Sequence, residues 1–305
     1  YRASSQFGLA EAPSVSHETV VTPQTRFQAV LAPDKLKDLI LRHVPAERVP
    51  LPAWVPLKLD TLLPKMLPRE VAVVAGSDYK QGKINLTLFV NERRGGPVIV
   101  EQLNQLNPFR NLSQIQWDAK LVQLPERGVI TLNGALPIPE GAEEKMLENW
   151  THDAPKEPAK PAGNHLLEAV LYNRNGEIIT AAASIMAVNG VDWQKAFAMQ
   201  EAQMGMEILK HITIMRLAAD LAGDDAMKIL LIIGADPLVQ SQLEFFSNAF
   251  LVPPAQNYVE EMNMVLEGAF KWDAQQNGLV GDFTLTGFDA LIAERLNAAL
   301  GAPPA

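Results

Sequence analysis

Residues 71–90 read VAVVAGSDYKQGKINLTLFV, and this stretch contains the features that most strongly predict the fold. A short apolar run at 71–75 is followed by a Gly-Ser-Asp turn and by a second run at 84–90, in which apolar and polar side chains alternate. Alternation with a period of two is typical of a β-strand with one buried and one wet face. The stretch therefore predicts a β-hairpin, whose strands pair antiparallel.

A second segment with the same ending lies further along the chain, where LIIGAD at 231–236 resembles VVAGSD at 73–78. Four other pairs of short segments keep the same order, and their offset falls gradually from 158 to 153 residues. These pairs are 27–34 with 185–192, 86–91 with 243–248, 115–119 with 270–274, and 131–134 with 284–287. Matches that keep their order along a chain are typical of an old tandem duplication.

The duplication predicts an α+β fold of two tandem lobes, each an antiparallel sheet with helices on one face, in the order β-α-β-β-α-β-β-α. If the lobes are repeats, Trp117 falls on Trp272 and Gly76 on Gly234. The predicted division is an N-terminal tether at 1–25, a first repeat lobe at 26–150, a Pro/Ala-rich linker at 151–164, and a second repeat lobe at 165–305.

Three further elements are predicted in the second lobe. An extra hairpin is expected from strands at 166–172 and 177–186, joined by a turn that contains Asn173 and Gly176. A strand is expected at 243–249 as the partner of one at 229–233. One long methionine-rich helix is expected to run from about Asp192 to Leu221.

The overall charge and the absence of cysteine exclude several kinds of function. The chain of 305 residues has 26 Lys and Arg against 35 Asp and Glu, a net charge of −9, which repels phosphate backbones and anionic lipids. We therefore expect no nucleic-acid partner. The absence of cysteine excludes disulfides, thiolate metal sites and a cysteine nucleophile. The apolar runs are shorter than the ~18–20 residues of a transmembrane span, so none is predicted.

Catalytic and metal-binding signatures are missing from the sequence. It contains no GxSxG, Walker or GxGxxG motif, and its five histidines form no HExxH-type pattern. We predict no catalytic residues, no cofactor and no metal site. The repeated Trp-Asp-Ala at 117–119 and 272–274 admits two interpretations, a stacking platform beside an acid or a core aromatic beside a solvated carboxylate. Because neighbouring strand residues point to opposite faces, the second interpretation is favoured.

The methionines are concentrated in the second half of the chain, which contains eight of the ten. On the predicted long helix they form two apolar stripes, and we expect the helix to be packed on two sides. Methionine surfaces adapt to varied apolar partners. A possible apolar binding surface is therefore predicted from Met199, Met204, Met206, Leu209 and Met215.

These features favour a non-enzymatic binding or scaffold protein that engages a protein or a hydrophobic ligand, with an oligomer possible. The composition of residues 1–25 favours an exported protein tethered to a membrane by a segment before Tyr1, with a cytoplasmic location as the alternative. The alternative function is a hydrolase-type enzyme with a site between the lobes, built from residues such as His211, Asp192 and Asp236.

Overall fold

Strands β1 and β7, from distant parts of the chain, lie side by side at the centre of one antiparallel sheet. The computed structural model describes residues 16–43, 67–92, 116–120, 123–124, 127–142, 161, 164–173 and 176–299, and the structural statements below refer to them. The strands are β1 (Thr25–Leu31), β2 (Glu70–Asp78), β3 (Lys83–Glu92), β4 (Gln116–Lys120), β5 (Gln123–Leu124), β6 (Arg127–Pro137), β7 (Leu167–Tyr172), β8 (Ile212–Leu221), β9 (Ala226–Ala235), β10 (Val265–Asp273) and β11 (Gly278–Thr286).

Helices connect and cover these strands. The α-helices are α1 (Lys37–His43), α2 (Glu177–Val188), α3 (Trp193–Phe197), α4 (Gln200–Leu209), α5 (Gln240–Phe246), α6 (Val252–Glu260) and α7 (Phe288–Ala299). Short 3₁₀ helices are at His17–Val20, Pro33–Leu36, Tyr79–Gln81 and Pro237–Val239, and a π-helix at Ser247–Leu251 joins α5 to α6.

The sheet runs in the order β10-β11-β9-β8-β7-β1-β2-β3-β6-β4, with β5 paired to β6. The prediction of an α+β fold with antiparallel pairing is confirmed. The hairpin predicted at 71–90 is also confirmed, because β2 pairs with β3 and Val73 lies opposite Leu88. The prediction of two separate sheets is wrong. Ala29 lies opposite Ala169, and this pairing of β1 with β7 joins the two halves of the chain into a single sheet.

Three predicted elements of the second half are wrong. The second strand of the extra hairpin, 177–186, is helix α2, because Ile179 and Ala183 bury one helical face. The strand predicted at 243–249 is the end of α5 and most of the π-helix, because only Leu243 and Ser247 of these residues turn inward to full burial. The long helix from Asp192 to Leu221 breaks between α3 and α4 and ends at Leu209, and residues 212–221 form β8 between β7 and β9.

The residue matches inferred from sequence are therefore wrong. Segment 27–34 contains strand β1, whereas its match 185–192 contains the end of helix α2. Gly76 is in β2, next to the central pair, whereas Gly234 is in β9, one strand further out, so the two do not coincide by strand order. Both Trp117 and Trp272 are on outermost strands, but the first lies opposite Gly134 and the second opposite Leu279.

The first helix of each half packs against the other half. Helix α1 follows β1, yet its Leu39 is buried in a cluster with Met264 and Phe288 from the second half. Helix α2 follows β7, yet its Val188 is buried with Ile84 and Leu136 from the first half. Because each half completes the core of the other, the halves are expected to unfold as one unit.

Polar contacts also connect the two halves of the chain. Arg42 in α1 donates to the backbone oxygen of Asp224 at 2.6 Å and pairs with its carboxylate at 2.7 Å, and His43 contacts the carboxylate of Asp289 in α7 at 2.6 Å. In the other direction, Arg26 in β1 pairs with the buried Glu177 of α2 at 3.2 Å.

The substitution Leu39→Ala tests whether α1 stabilises the second half. We expect Leu39→Ala to reduce the free energy of unfolding by about 2–5 kcal/mol, because it leaves a cavity beside Met264 and Phe288. Hydrogen exchange should show faster amide exchange in β9 and β11, although Leu39 belongs to the first half. The matched control Leu238→Ala removes a side chain that is 84% exposed and should change stability by about 0.5 kcal/mol or less. Faster amide exchange confined to β1–β3 would contradict the packing of α1 against the second half.

Candidate functional site

The five residues of the predicted methionine surface have different surroundings. Met199 precedes α4 and is 57% exposed, whereas Met206 and Leu209 are half-buried against a cluster that contains Trp193 of α3. Leu209 and Met215 also pack against the core of the second half. Met204 is in α4, and its side chain lies outside the described residues. Whether these residues bind a ligand stays a prediction.

The structure brings together two of the three residues considered for a hydrolase site. Asp236 donates its backbone N–H to the carbonyl of His211 at 3.1 Å. The carboxylates of Asp236 and Asp192 each cap a helix, accepting the backbone N–H of Leu238 at 2.9 Å and of Lys195 at 3.1 Å respectively. Both carboxylates therefore stabilise helix starts.

Three of the five histidines each lie against a carboxylate far away in sequence. The pairs are His17 with Glu70, His43 with Asp289, and His165 with Asp220. Each joins a loop or helix to a different element of the fold. Within the described ranges, no group of three or more His, Asp or Glu residues is placed to hold a metal ion.

The pair of His17 and Glu70 is the most buried of these contacts. Nδ1 of His17 lies 3.0 Å from Oε1 of Glu70, and Nε2 lies 3.1 Å from Oε1 of Gln28. Burial by itself lowers the pKa of His17, but the hydrogen bond and charge of Glu70 outweigh burial and raise it above its usual value. Burial raises the pKa of Glu70, yet the hydrogen bonds from His17 hold it below its usual value. Both shifts favour the charged pair.

An open groove of about 650 Å³ lies beside the turn between β10 and β11, where its lining includes Lys271, Trp272 and Asp282. Trp272 packs half-buried against the second-half core. Oδ1 of Asp273 accepts the backbone N–H of Gln275 at 2.7 Å and so closes the turn. These contacts agree with the core interpretation of this Trp-Asp-Ala. The Trp117 side chain lies outside the described residues.

The largest exposed apolar side chains are concentrated on the segment from the 3₁₀ helix Pro237–Val239 to the end of α6. Leu238 is 84% exposed, Phe245 68% and Tyr258 64%, and about half of Phe250 and Leu251 is exposed. We call these residues the aromatic ridge; its members are Leu238, Phe245, Phe250, Leu251 and Tyr258. Leu238 lies in the 3₁₀ helix, Phe245 in α5, Phe250 and Leu251 in the π-helix and Tyr258 in α6, so four consecutive helical elements contribute to the ridge.

The ridge forms because the same segment buries its other side. Leu243 of α5 and Val252 of α6 are buried in the second-half core beside Phe270. The π-helix between them, in which Val252 N–H bonds to Ser247 O, contains one residue more per turn than an α-helix would. The wider turn brings Phe250 against Phe245, with ring centroids 6.2 Å apart in an edge-to-face arrangement. The ridge is therefore continuous across the junction.

Asn248 fixes this π-helix to the edge of the sheet. Its side-chain amide accepts Phe270 N–H at 2.9 Å and donates to Phe270 O at 2.9 Å, and it also donates to Glu244 O at 3.0 Å. Gln256 of α6 donates to Leu266 O at 3.1 Å. Strand β10 is outermost in the sheet, so these amides take hydrogen-bonding positions that a neighbouring strand would otherwise use.

The sequence interpretation missed the ridge because residues 243–249 were expected to form a strand. The available signal was the proline pair at 253–254, which is typical of a helix start.

No protein-family model, curated protein or solved structure matches the chain. In the described part of the chain, no helix combines the length and the hydropathy that crossing a membrane requires.

The pair of His17 and Glu70 should make stability depend on pH. The raised pKa of His17 stabilises the fold below its ordinary value of 6.5, and this is lost as pH rises through the folded-state pKa. The lowered pKa of Glu70 stabilises the fold above its ordinary value of 4.5, and this is lost as pH falls. A double-mutant cycle with His17→Leu and Glu70→Gln, measured by urea unfolding, should give a coupling of about 1–3 kcal/mol that is greatest between pH 4.5 and 6.5. A coupling that does not change from pH 4 to 9 would contradict the charged pair.

Asn248 should matter more for stability than its position on the surface segment implies. Asn248→Ala leaves Phe270 N–H and O without these partners, and we expect a loss of about 1–3 kcal/mol in thermal unfolding. Asn257→Ala on α6 is the matched control, because Asn257 is exposed, and it should change stability by about 0.5 kcal/mol or less. Equal effects of the two substitutions would mean that the amide does not stabilise the edge.

Proposed function

We propose that this chain is a non-enzymatic binding protein and that the aromatic ridge is its contact surface for another protein. The observation that carries the proposal is the exposure of Leu238, Phe245 and Tyr258 on one rigid helical segment. Exposed apolar patches beyond a few hundred Å² are rare on monomers and mark interaction sites. Aromatic side chains are enriched in protein interfaces because each buries a large area with few rotatable bonds.

The size of the ridge supports a protein partner. Three aromatic and two leucine side chains, each roughly half exposed or more, present on the order of 400–600 Å² of apolar surface. A standard interface buries about 800 Å² on each partner, of which the centre is apolar. The ridge therefore has the area expected for an interface centre.

The rigidity of the ridge also supports binding. Phe250 contacts both Phe245 and Phe246, with centroid distances of 6.2 and 5.3 Å, and Asn248 ties the same turn to β10. Side chains that are already ordered lose less conformational entropy when a partner binds.

We also propose a duplication, but with other segments matched than those inferred from the sequence. Counted outward from the β1–β7 pair, the strands follow the order β1-β2-β3-β6-β4 in the first half and β7-β8-β9-β11-β10 in the second. This common order supports an old repeat related by a two-fold axis near Ala29 and Ala169. The ridge belongs to the connection between β9 and β10. The corresponding connection of the first half, residues 93–115, lies outside the described residues.

Photo-crosslinking in the native cell tests the proposal. With p-benzoylphenylalanine in place of Phe245, Phe250 or Tyr258, we expect the same protein partner to be crosslinked from all three positions. The control position Gln276 is exposed on the turn between β10 and β11 and should give none of this product. Excess wild-type protein should compete with the crosslink, whereas the triple variant Phe245→Ser/Phe250→Ser/Tyr258→Ser should not. Crosslinking from Gln276 alone would refute the ridge as the contact surface.

A further inference from the structure

The aromatic ridge lies in a long stretch of sequence without positive charge. Between Lys228 and Lys271 there is no Lys, Arg or His. The same stretch contains five carboxylates, Asp236, Glu244, Glu260, Glu261 and Glu267. The charged side chains that this segment itself contributes are therefore all negative, which disfavours anionic partners.

Two of these carboxylates are at an unfavourable position. Glu260 is the last residue of α6 and Glu261 is its C-cap, and both are exposed. The carbonyl groups at a helix C-terminus give it partial negative charge, so carboxylates there are destabilising and cations are favoured. The last turn of α6 contains no basic residue, and no ion pair between described residues involves Glu260 or Glu261.

The acidic helix end is continuous with the ridge. Glu261 follows Tyr258 by three residues, so the two are neighbours on the same side of the helix end. The ridge extends from Leu238 to Tyr258 over four consecutive helical elements. Its end at Tyr258 therefore lies next to two carboxylates and a negative helix terminus.

We propose that the partner of the ridge is an amphipathic helix with an apolar stripe and with Lys or Arg residues at the end that meets Glu260 and Glu261. This inference rests on the proposed function and specifies its partner. A helical partner fits because the ridge itself lies on helices, and two packed helices interdigitate their side chains as ridges in grooves, with the apolar side chains of the partner at i, i+3, i+4 and i+7. A basic end fits because it supplies the cations that the end of α6 lacks.

Fluorescence anisotropy with three synthetic peptides tests the proposal. The first is a fluorescein-labelled helix of 21 Leu, Ala and Lys residues, with a leucine stripe and the lysines at one end. The second has Glu in place of Lys, and the third has the composition of the first in an order that destroys the stripe. We expect the wild-type protein to bind the first peptide at least tenfold more tightly than either of the others.

Two double variants separate local charge from net charge. Glu260→Lys/Glu261→Lys should reverse the preference so that the Glu peptide binds more tightly than the Lys peptide. Glu18→Lys/Glu140→Lys changes the net charge by the same amount at two exposed positions in the first half of the chain and should keep the wild-type preference. A reversal caused equally by both variants would overturn the proposal, since binding would then follow net charge alone.

The remaining outcomes distinguish the partner from the surface. If both striped peptides bind equally and the triple serine variant binds neither, the ridge is a contact surface and the basic partner is wrong. If the triple serine variant binds the Lys peptide as tightly as the wild type does, the ridge is not the contact surface and the proposed function fails as well. Ridge-dependent sedimentation with phosphatidylcholine vesicles, without peptide preference, would replace the helical partner by a lipid surface.

Discussion

The pairing of β1 with β7 is the interaction on which the rest of the structure depends. Five residues of each strand pair across the centre of the sheet, with Ala29 opposite Ala169, and the other strands are added outward on both sides. The pairing places the end of β1 beside the second half, so that α1 packs there, and it places α2 over the first half. Arg26 pairs with the buried Glu177 across the same boundary. Such long-range contacts have a large entropic cost of loop closure, which the shared core must offset.

The candidate surface is held in place by the same sheet. Strands β9, β11 and β10 extend the sheet to its edge, and α5, the π-helix and α6 pack on Phe270 and Phe283 there. Because Leu243 and Val252 face this core, the opposite side of the segment faces solvent. The π-helix changes the helical register at the point where Asn248 bonds to the backbone of Phe270. The π-helix therefore both attaches this segment to the edge of the sheet and determines where its exposed aromatic side chains lie.

Local patterns predicted part of this fold, and the reasons for the failures are physical. The hairpin at 71–90 was predictable because its second strand alternates strictly, and strand β7 because a short apolar run bounded by turn residues favours a strand over a helix. Residues 177–186 contain β-branched Ile and Thr, which favour a strand, and three alanines, which favour a helix. Tertiary packing selects the helix. Residues 212–221 continued a helical pattern, yet pairing with two neighbours makes them β8. The proline pair at 253–254 indicated a helix, but which of its side chains are exposed depends on which side of the segment faces the sheet.

The packing of α1 against the second half has a consequence for synthesis on the ribosome. Leu39 emerges early, but Met264 and Phe288, which surround it in the folded chain, are among the last described residues to be made. At ~5–20 residues per second, roughly 10–50 s separate the appearance of Leu39 from that of Phe288. Strand β1 waits in the same way for β7. The edge of β1 therefore stays unpaired until β7 has been made, and the apolar side of α1 stays uncovered until translation is almost finished.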